Sequence, residues 1–183
     1  DRPDVWPRAR CQAAWRVDAG MSGPLATPMC QVDQIMTVMR AAFDPAWGEA
    51  WNRRQIEDSL AMPSTFALLA DPQGQILPAQ GSAAGLPAAG FLLSRHAPGE
   101  EELLLIAVQP EFQRCGIGEA LIRRLANDAR ARGAERIFLE MRENNPAARL
   151  YHRVGFEPIG RRKAYYLLAD GNRMDAITFG LSI

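Results

Sequence analysis

The chain has 183 residues, of which 48% are apolar and 23% charged, enough to bury one substantial core and short for two domains. Its 21 basic and 21 acidic residues cancel, so the composition advertises neither a nucleic-acid nor a membrane-surface partner. Cys11, Cys30 and Cys115 suggest neither a disulfide framework nor a zinc knuckle, the distant His96 and His152 give little support to a metal site, and no apolar run nears the ~20 residues of a membrane span.

Residues 1–30 are rich in Arg, Pro, Ala and Gly and keep no period for long. They read as an N-terminal arm or leader, with a short strand expected around Leu25 and Met21 as an alternative start. They hold no signal-peptide core, which together with the cysteine usage implies a reducing, cytoplasmic setting. Residues 31–183 read as one domain. From 32 to 43, apolar residues recur at Ile35, Met36, Met39 and Phe43 with Asp33 near the start, the spacing and charge of a helix. Asp44-Pro45-Ala46-Trp47-Gly48 breaks it, and a second helix is expected over 49–61, stopped by Pro63. Trp47, in the breaker, reads as a substrate-loop residue or equally as a packing anchor.

Residues 65–70 read as a strand, 71–74 as a turn, and the Gly-, Ala- and Pro-rich piece 77–87 as an enlarged hairpin loop. Strands follow over 88–95 and 101–108. The second ends in Leu103-Leu104-Leu105-Ile106-Ala107-Val108, a continuous apolar run that predicts cover on both faces. Pro110 stops it and leaves 109–115 as a loop. Beyond Gly116, the positions Ile117, Leu121, Ile122, Leu125 and Ala129 form one stripe opposite Glu119, Arg123, Arg124, Asp128 and Arg130, a third helix that Gly133 closes. A strand over 136–141, a short helix over 146–154, a strand over 156–162 and a closing strand over 174–183 complete the chain. The pattern is a mixed sheet with helices against its faces, an α/β domain leaning to α+β.

The stretch Gln113-Arg114-Cys115-Gly116-Ile117-Gly118 joins the apolar strand to the third helix. Two glycines spaced by one residue at a helix start let unpaired N–H groups face an anion, with the positive end of the helix dipole behind them. An ordinary strand-to-helix turn has the same outline. A dinucleotide-binding turn is excluded, because G-x-G-x-x-G requires glycine where Leu121 stands.

The same six residues match the Q/R-x-x-G-x-G/A motif of the GNAT N-acetyltransferases. Phe138-Leu139-Glu140-Met141-Arg142-Glu143-Asn144-Asn145, Leu150-Tyr151-His152-Arg153-Val154-Gly155-Phe156, and Arg162-Lys163-Ala164-Tyr165-Tyr166 with Asp175-Ala176 resemble the bacterial ribosomal-protein alanine N-acetyltransferases within it. The resemblance runs from about Glu101 to the end. It implies a mostly antiparallel sheet with helices on both faces and a splay between the strands ending near Val108 and Met141. It implies acetyl-CoA as cosubstrate and no metal, with cofactor contacts from Ile106, Ala107, Val108, Arg114, Cys115, Gly116, Ile117, Gly118 and Glu119. In that likeness the backbone N–H of Val108 polarises a thioester carbonyl. Glu140 is the general base for an α-amine of pKa near ~7.7–8.0, and Tyr151, a phenol of pKa about 10, is the general acid for a departing thiolate. One residue is missing from the loop between them, so a family asparagine that contacts the cofactor falls on Asn145 counted from Glu140 and on Asn144 counted from Tyr151. Ala164 stands where the family usually has asparagine. Tyr165 and Tyr166, with Trp47, fall on the substrate side, as groove lining or as cover for the sheet.

Without the resemblance, Glu140 at a strand end reads as the ion-pair partner of a neighbouring arginine, and Tyr151 before Gly155-Phe156 as core packing. Cys115, inside the cradle, is the rival covalent nucleophile, but no histidine lies near it in sequence. The function implied is acetyl transfer to a primary amine, namely the N-terminal α-amine of a protein or peptide, with a ribosomal protein as the implied acceptor and neither nucleic acid nor membrane as direct partner. A monomer or homodimer is expected. The alternatives are acetylation of a small-molecule amine and a CoA-binding regulatory module without catalysis.

Overall fold

A computed structural model describes residues 29–44, 49–78, 87–168 and 171–183; Trp47, the strand expected around Leu25 and most of the 77–87 loop lie outside them. The chain forms α1 (Gln31–Ala42), α2 (Arg53–Leu60), β1 (Thr65–Ala70), β2 (Gly90–Ala97), β3 (Glu100–Val108), α3 (Ile117–Ala131), β4 (Arg136–Arg142), α4 (Ala148–Val154), β5 (Glu157–Leu167) and β6 (Arg173–Ser182). The second helix starts at Arg53, later than the expected 49. Asn52 accepts from the N–H of Gln55 while the Gln55 side chain returns to the Asn52 N–H, a reciprocal cap that fixes the start. A short 3-10 turn, Pro110–Phe112, occupies part of the expected loop.

The strands form a 6-stranded sheet in the order β1-β2-β3-β4-β6-β5. Every pairing is antiparallel except β3 with β4. On one face α3 and α4 bury Leu121, Ile122, Leu125 and Tyr151 with Leu92, Ile137, Phe156 and Phe179. On the other, α1 and α2 bury Ile35, Val38, Met39 and Ile56 with Leu69, Phe91 and Leu93. Phe91, Leu92 and Leu93 therefore alternate between two cores, and removing each from water stabilises the fold by roughly 1.5–3 kcal/mol. Among the described residues no helix is long and apolar enough to cross a membrane.

The parallel pair is short. Only Glu100, Glu101 and Glu102 lie opposite Arg136, Ile137 and Phe138, after which β3 and β4 run on without each other. The paired end is tied by Glu101, a fully buried carboxylate that accepts from Ser94 Oγ at 2.6 Å and from Arg132 at 2.8 Å. Beyond it the strands diverge, which opens the splay. The 103–108 run packs against both cores as expected, Leu103, Ile106 and Val108 on one face and Leu104, Leu105 and Ala107 on the other, although Leu104, Leu105, Ile106 and Val108 are only half-buried beside the splay.

Candidate active site

The splay is walled on one side by the end of β3 and the start of α3. Gln109 donates its N–H to the Ala89 carbonyl at 2.8 Å. Partners alternate along an antiparallel ladder, so the polar groups of Val108 turn away from β2 and into the splay. The Val108 carbonyl indeed accepts from Gln113 Nε2 at 3.1 Å. Ile106 and Ala107 precede it on the same diverging strand.

The chain then turns through two left-handed residues, Arg114 at φ 61 and Gly116 at φ 83, into α3. The first helical bond runs from the Ala120 N–H to the Gly116 carbonyl. Among the described residues, the N–H groups of Gly116, Ile117, Gly118 and Glu119 donate to no backbone carbonyl. These orphan donors, with the helix dipole behind them, fit an anionic group such as a pyrophosphate. Gly90 sets how closely the cradle sits on the strands: a Cβ there would lie 3.0 Å from Ile117 Cγ2 and 3.1 Å from the Ala107 carbonyl oxygen. Gly118 faces Leu150 of α4. Glu119 is paired to Arg123 at 2.7 Å on the solvent side of the helix. Cys115 is disulfide-bonded, contrary to the expectation of unbridged cysteines, and a sulfur so held is no nucleophile.

The other wall carries side chains. Glu140, half-buried on β4 opposite Thr178, receives Arg162 NH1 at 3.1 Å on each carboxylate oxygen. The arginine partner that the sequence leaves as the alternative for Glu140 is therefore present. Arg162 lies 3.7 Å above the Tyr165 ring, and Tyr165 meets Tyr166 edge-on at 5.1 Å. Tyr165 is 46% exposed, at the surface of this wall. Asn144 accepts from Arg142 at 2.7 Å, and Asn145 accepts the Ala147 N–H at 2.9 Å at the entrance to α4. Each asparagine keeps its side-chain NH2 as a donor.

Tyr151 is buried on α4, edge-on to Phe156 at 5.7 Å and tilted against Phe179 at 6.1 Å, which is the core packing expected of it without the resemblance. Burial, and then the negative charge of Glu49, raise its phenol well above the ordinary value. Tyr166 is pushed up to about 12 by burial first, then by Glu140 and Glu49. Glu49, Glu140, Tyr151 and Tyr166 thus share one electrostatic neighbourhood, although they come from separate elements.

Sequence reasoning did not single out Glu49, Arg142, Arg162 or Gly90. Glu49 Oε1 accepts from Arg142 Nε at 2.8 Å across 93 positions of sequence, and Arg142 is buried. No local pattern marks such a pair. Arg162 follows Arg161, and either could have met Glu140 until the strand register was known.

The sequence model of the acetyltransferase (GNAT) family matches residues 32–156. A ribosomal protein bS18-alanine N-acetyltransferase of Haemophilus influenzae is 35% identical over 88 residues, 48% of this chain and 60% of that protein. Its counterpart in Escherichia coli strain K12 is 40% identical over 96 residues, 52% of this chain and 64% of that protein. The chain thus spans less than two thirds of the length of these relatives. The crystal structure of the ribosomal-protein-S18-alanine N-acetyltransferase from Escherichia coli matches with a TM-score of 0.64 at 26% identity, covering 86% of this chain and 92% of that one.

Proposed function

The chain belongs to the acetyltransferase (GNAT) family, and from that membership we propose that it transfers an acetyl group from acetyl-CoA to a primary amine, the N-terminal α-amine of a protein or peptide, with a ribosomal-protein alanine as the acceptor. The observation that carries this reading is the splay itself. It sets main-chain donors on one side, at Val108 and at Gly116 to Glu119, against paired carboxylates and tyrosines on the other. The bS18-alanine relatives supply the acceptor class. An acceptor of that kind puts the reaction in the cytoplasm.

Acetyl-CoA, when bound, supplies the activated acyl carbon. The N–H groups of Gly116, Ile117, Gly118 and Glu119 hold its pyrophosphate, with the side-chain NH2 of Asn144 or Asn145 as a further donor. The Val108 N–H stabilises negative charge that develops on the thioester oxygen. Glu140 accepts the proton that an α-ammonium must lose before it attacks, directly or through water, and Arg162 fixes the direction of that carboxylate. Tyr151 returns a proton to the departing sulfur. Its raised pKa makes it a reluctant acid, and the transfer costs more than the about 2 kcal/mol that separates a free phenol from a free thiol. Its proton therefore leaves only after charge has built up on the departing group.

The test combines acceptors with variants. Wild type is assayed with an N-terminal alanine peptide and with a panel of small amines, and Glu140→Gln and Tyr151→Phe are each expected to lower kcat about 10²-fold while acetyl-CoA binding persists. Activity on small amines alone would reject the acceptor. Wild-type turnover in both variants would reject the assigned roles.

A further inference from the structure

On the acceptor wall, the register of β5 with β6 slips. Arg162 faces Ala176 and Tyr166 faces Met174, so Lys163, Ala164 and Tyr165 stand opposite Asp175 alone. The extra residues leave the ladder through Ala164, which takes the left-handed conformation at φ 54 that a Cβ-bearing residue other than Asn or Asp rarely adopts. Side chains on β6 hold Ala164 through both its N–H and its carbonyl. Asp175 Oδ1 accepts the Ala164 N–H at 2.8 Å, and Arg173 NH1 donates to the Ala164 carbonyl at 3.1 Å. The second oxygen of Asp175 accepts from Arg161 Nε at 2.5 Å, and Arg161 NH2 reaches Glu143 at 2.6 Å.

The bulge assembles something that a regular strand could not. Arg162 and Tyr165 stand an odd number of positions apart, which puts side chains on opposite faces of an unbroken strand. Here the guanidinium lies 3.7 Å over the ring, and the same guanidinium covers both oxygens of Glu140. The path from Asp175 to Glu140 therefore runs through the strained residue and the stacked pair.

We propose that Asp175 is a positioning residue for the acceptor side of the site: by clamping the Ala164 N–H it keeps the β5 bulge in the shape that stacks Arg162 on Tyr165 over Glu140. This rests on the reading of Glu140 and the tyrosines as the acceptor wall. Both carboxylate oxygens of Asp175 are taken up by Arg161 and the Ala164 N–H, so its loss should disturb acceptor recognition through the bulge and leave the main-chain cradle of α3 alone.

The experiment is a steady-state comparison of Asp175→Ala, Asp175→Asn and the double variant Asp175→Ala with Ala164→Gly, using an N-terminal alanine peptide and acetyl-CoA. Asp175→Ala is expected to raise the peptide KM about tenfold, the scale of a left-handed residue losing its support, with the acetyl-CoA KM unchanged. Asp175→Asn retains an oxygen for the Ala164 N–H and should stay within about threefold of wild type. Glycine at 164 needs no clamp, so the double variant should recover most of the loss. A peptide KM that stays at the wild-type value in Asp175→Ala, an equal rise in both KM values, or no recovery in the double variant overturns the proposal. Hydrogen exchange at the Ala164 amide decides the clamp without activity: faster exchange in Asp175→Ala upholds it, and unchanged protection refutes it. If wild type acetylates no amine at all, the functional reading fails, while the amide measurement still tells whether Asp175 holds the bulge.

Discussion

On one wall of the splay, the proposed cofactor side, the chain offers main-chain N–H groups, at Val108 and from Gly116 to Glu119; on the other, the proposed acceptor side, it offers side chains bound to one another, Glu140 with Arg162, Arg142 with Glu49, Arg161 with Asp175. The two walls fail in different ways. A cradle of backbone donors depends on φ and ψ and on the helix axis, so most side-chain changes leave it intact and a change of conformation destroys it. A wall of ion pairs depends on several side chains from distant segments. The solvent-exposed pairs are screened and contribute little to stability, so this wall is easily altered without unfolding the protein. Under the proposed function, a constant cosubstrate would be matched to the first kind of surface and a variable acceptor to the second.

The largest expected effect is on the buried cross-link of the acceptor wall. Arg142→Ala leaves Glu49 without its guanidinium and should cost about 2–3 kcal/mol of stability, since Glu49 is partly exposed and regains some water. Chemical denaturation reads the loss. The peptide KM should rise with the acetyl-CoA KM unmoved; an effect on acetyl-CoA alone would erase the division between the walls. Next comes Gly116→Ala, which forces a Cβ into the left-handed region at a cost of about 1–2 kcal/mol. Calorimetric titration should show weaker acetyl-CoA binding, and unchanged affinity would mean that the cradle is not the cofactor site. Ala164→Asn acts in the opposite direction. Asparagine enters the left-handed region more readily than alanine, so thermal stability should rise by the equivalent of up to ~1 kcal/mol.

The smallest effect at neutral pH comes from Tyr151. Its folded pKa lies above the unfolded value of about 10, because burial and then Glu49 disfavour the phenolate. Its stabilisation is therefore whole below pH ~10 and is lost as pH climbs through the folded value, where the unfolded chain has already released its proton. Tyr166, pushed up to about 12, acts in the same direction. Wild type should lose more stability than Tyr151→Phe between pH ~8 and pH ~11, and equal losses would contradict the burial argument.

The main-chain wall was readable in advance. Gly116, Gly118 and the apolar stripe beginning at Ile117 lie within one short stretch, and their physics is local: a left-handed turn, orphan donors and a dipole. The strand run 103–108 was also readable as a strand, but its exposure was not, because that depends on whether β4 stays beside it. On the opposite wall the resemblance pointed to Glu140 and the tyrosines as candidates, but their setting was not legible. Glu49 and Arg142 are 93 positions apart, and no periodicity links them. The register slip that stacks Arg162 on Tyr165 leaves no mark in the strand's composition, except that Ala164 stands where an asparagine would have signalled a left-handed residue.

Residue type and spacing alone thus settled which segments become helices and strands and that a helix start would present free N–H groups. Local sterics and burial are enough for that. The choice of Glu140 and Tyr151 as proton-transfer candidates came from the family resemblance and not from spacing. Tertiary structure decided how far β3 and β4 part, which arginine meets Glu140, and how Asp175 holds a bulge on the neighbouring strand. Those outcomes are differences between competing pairings of similar energy, and only the closed sheet, with its register fixed by both cores, selects among them.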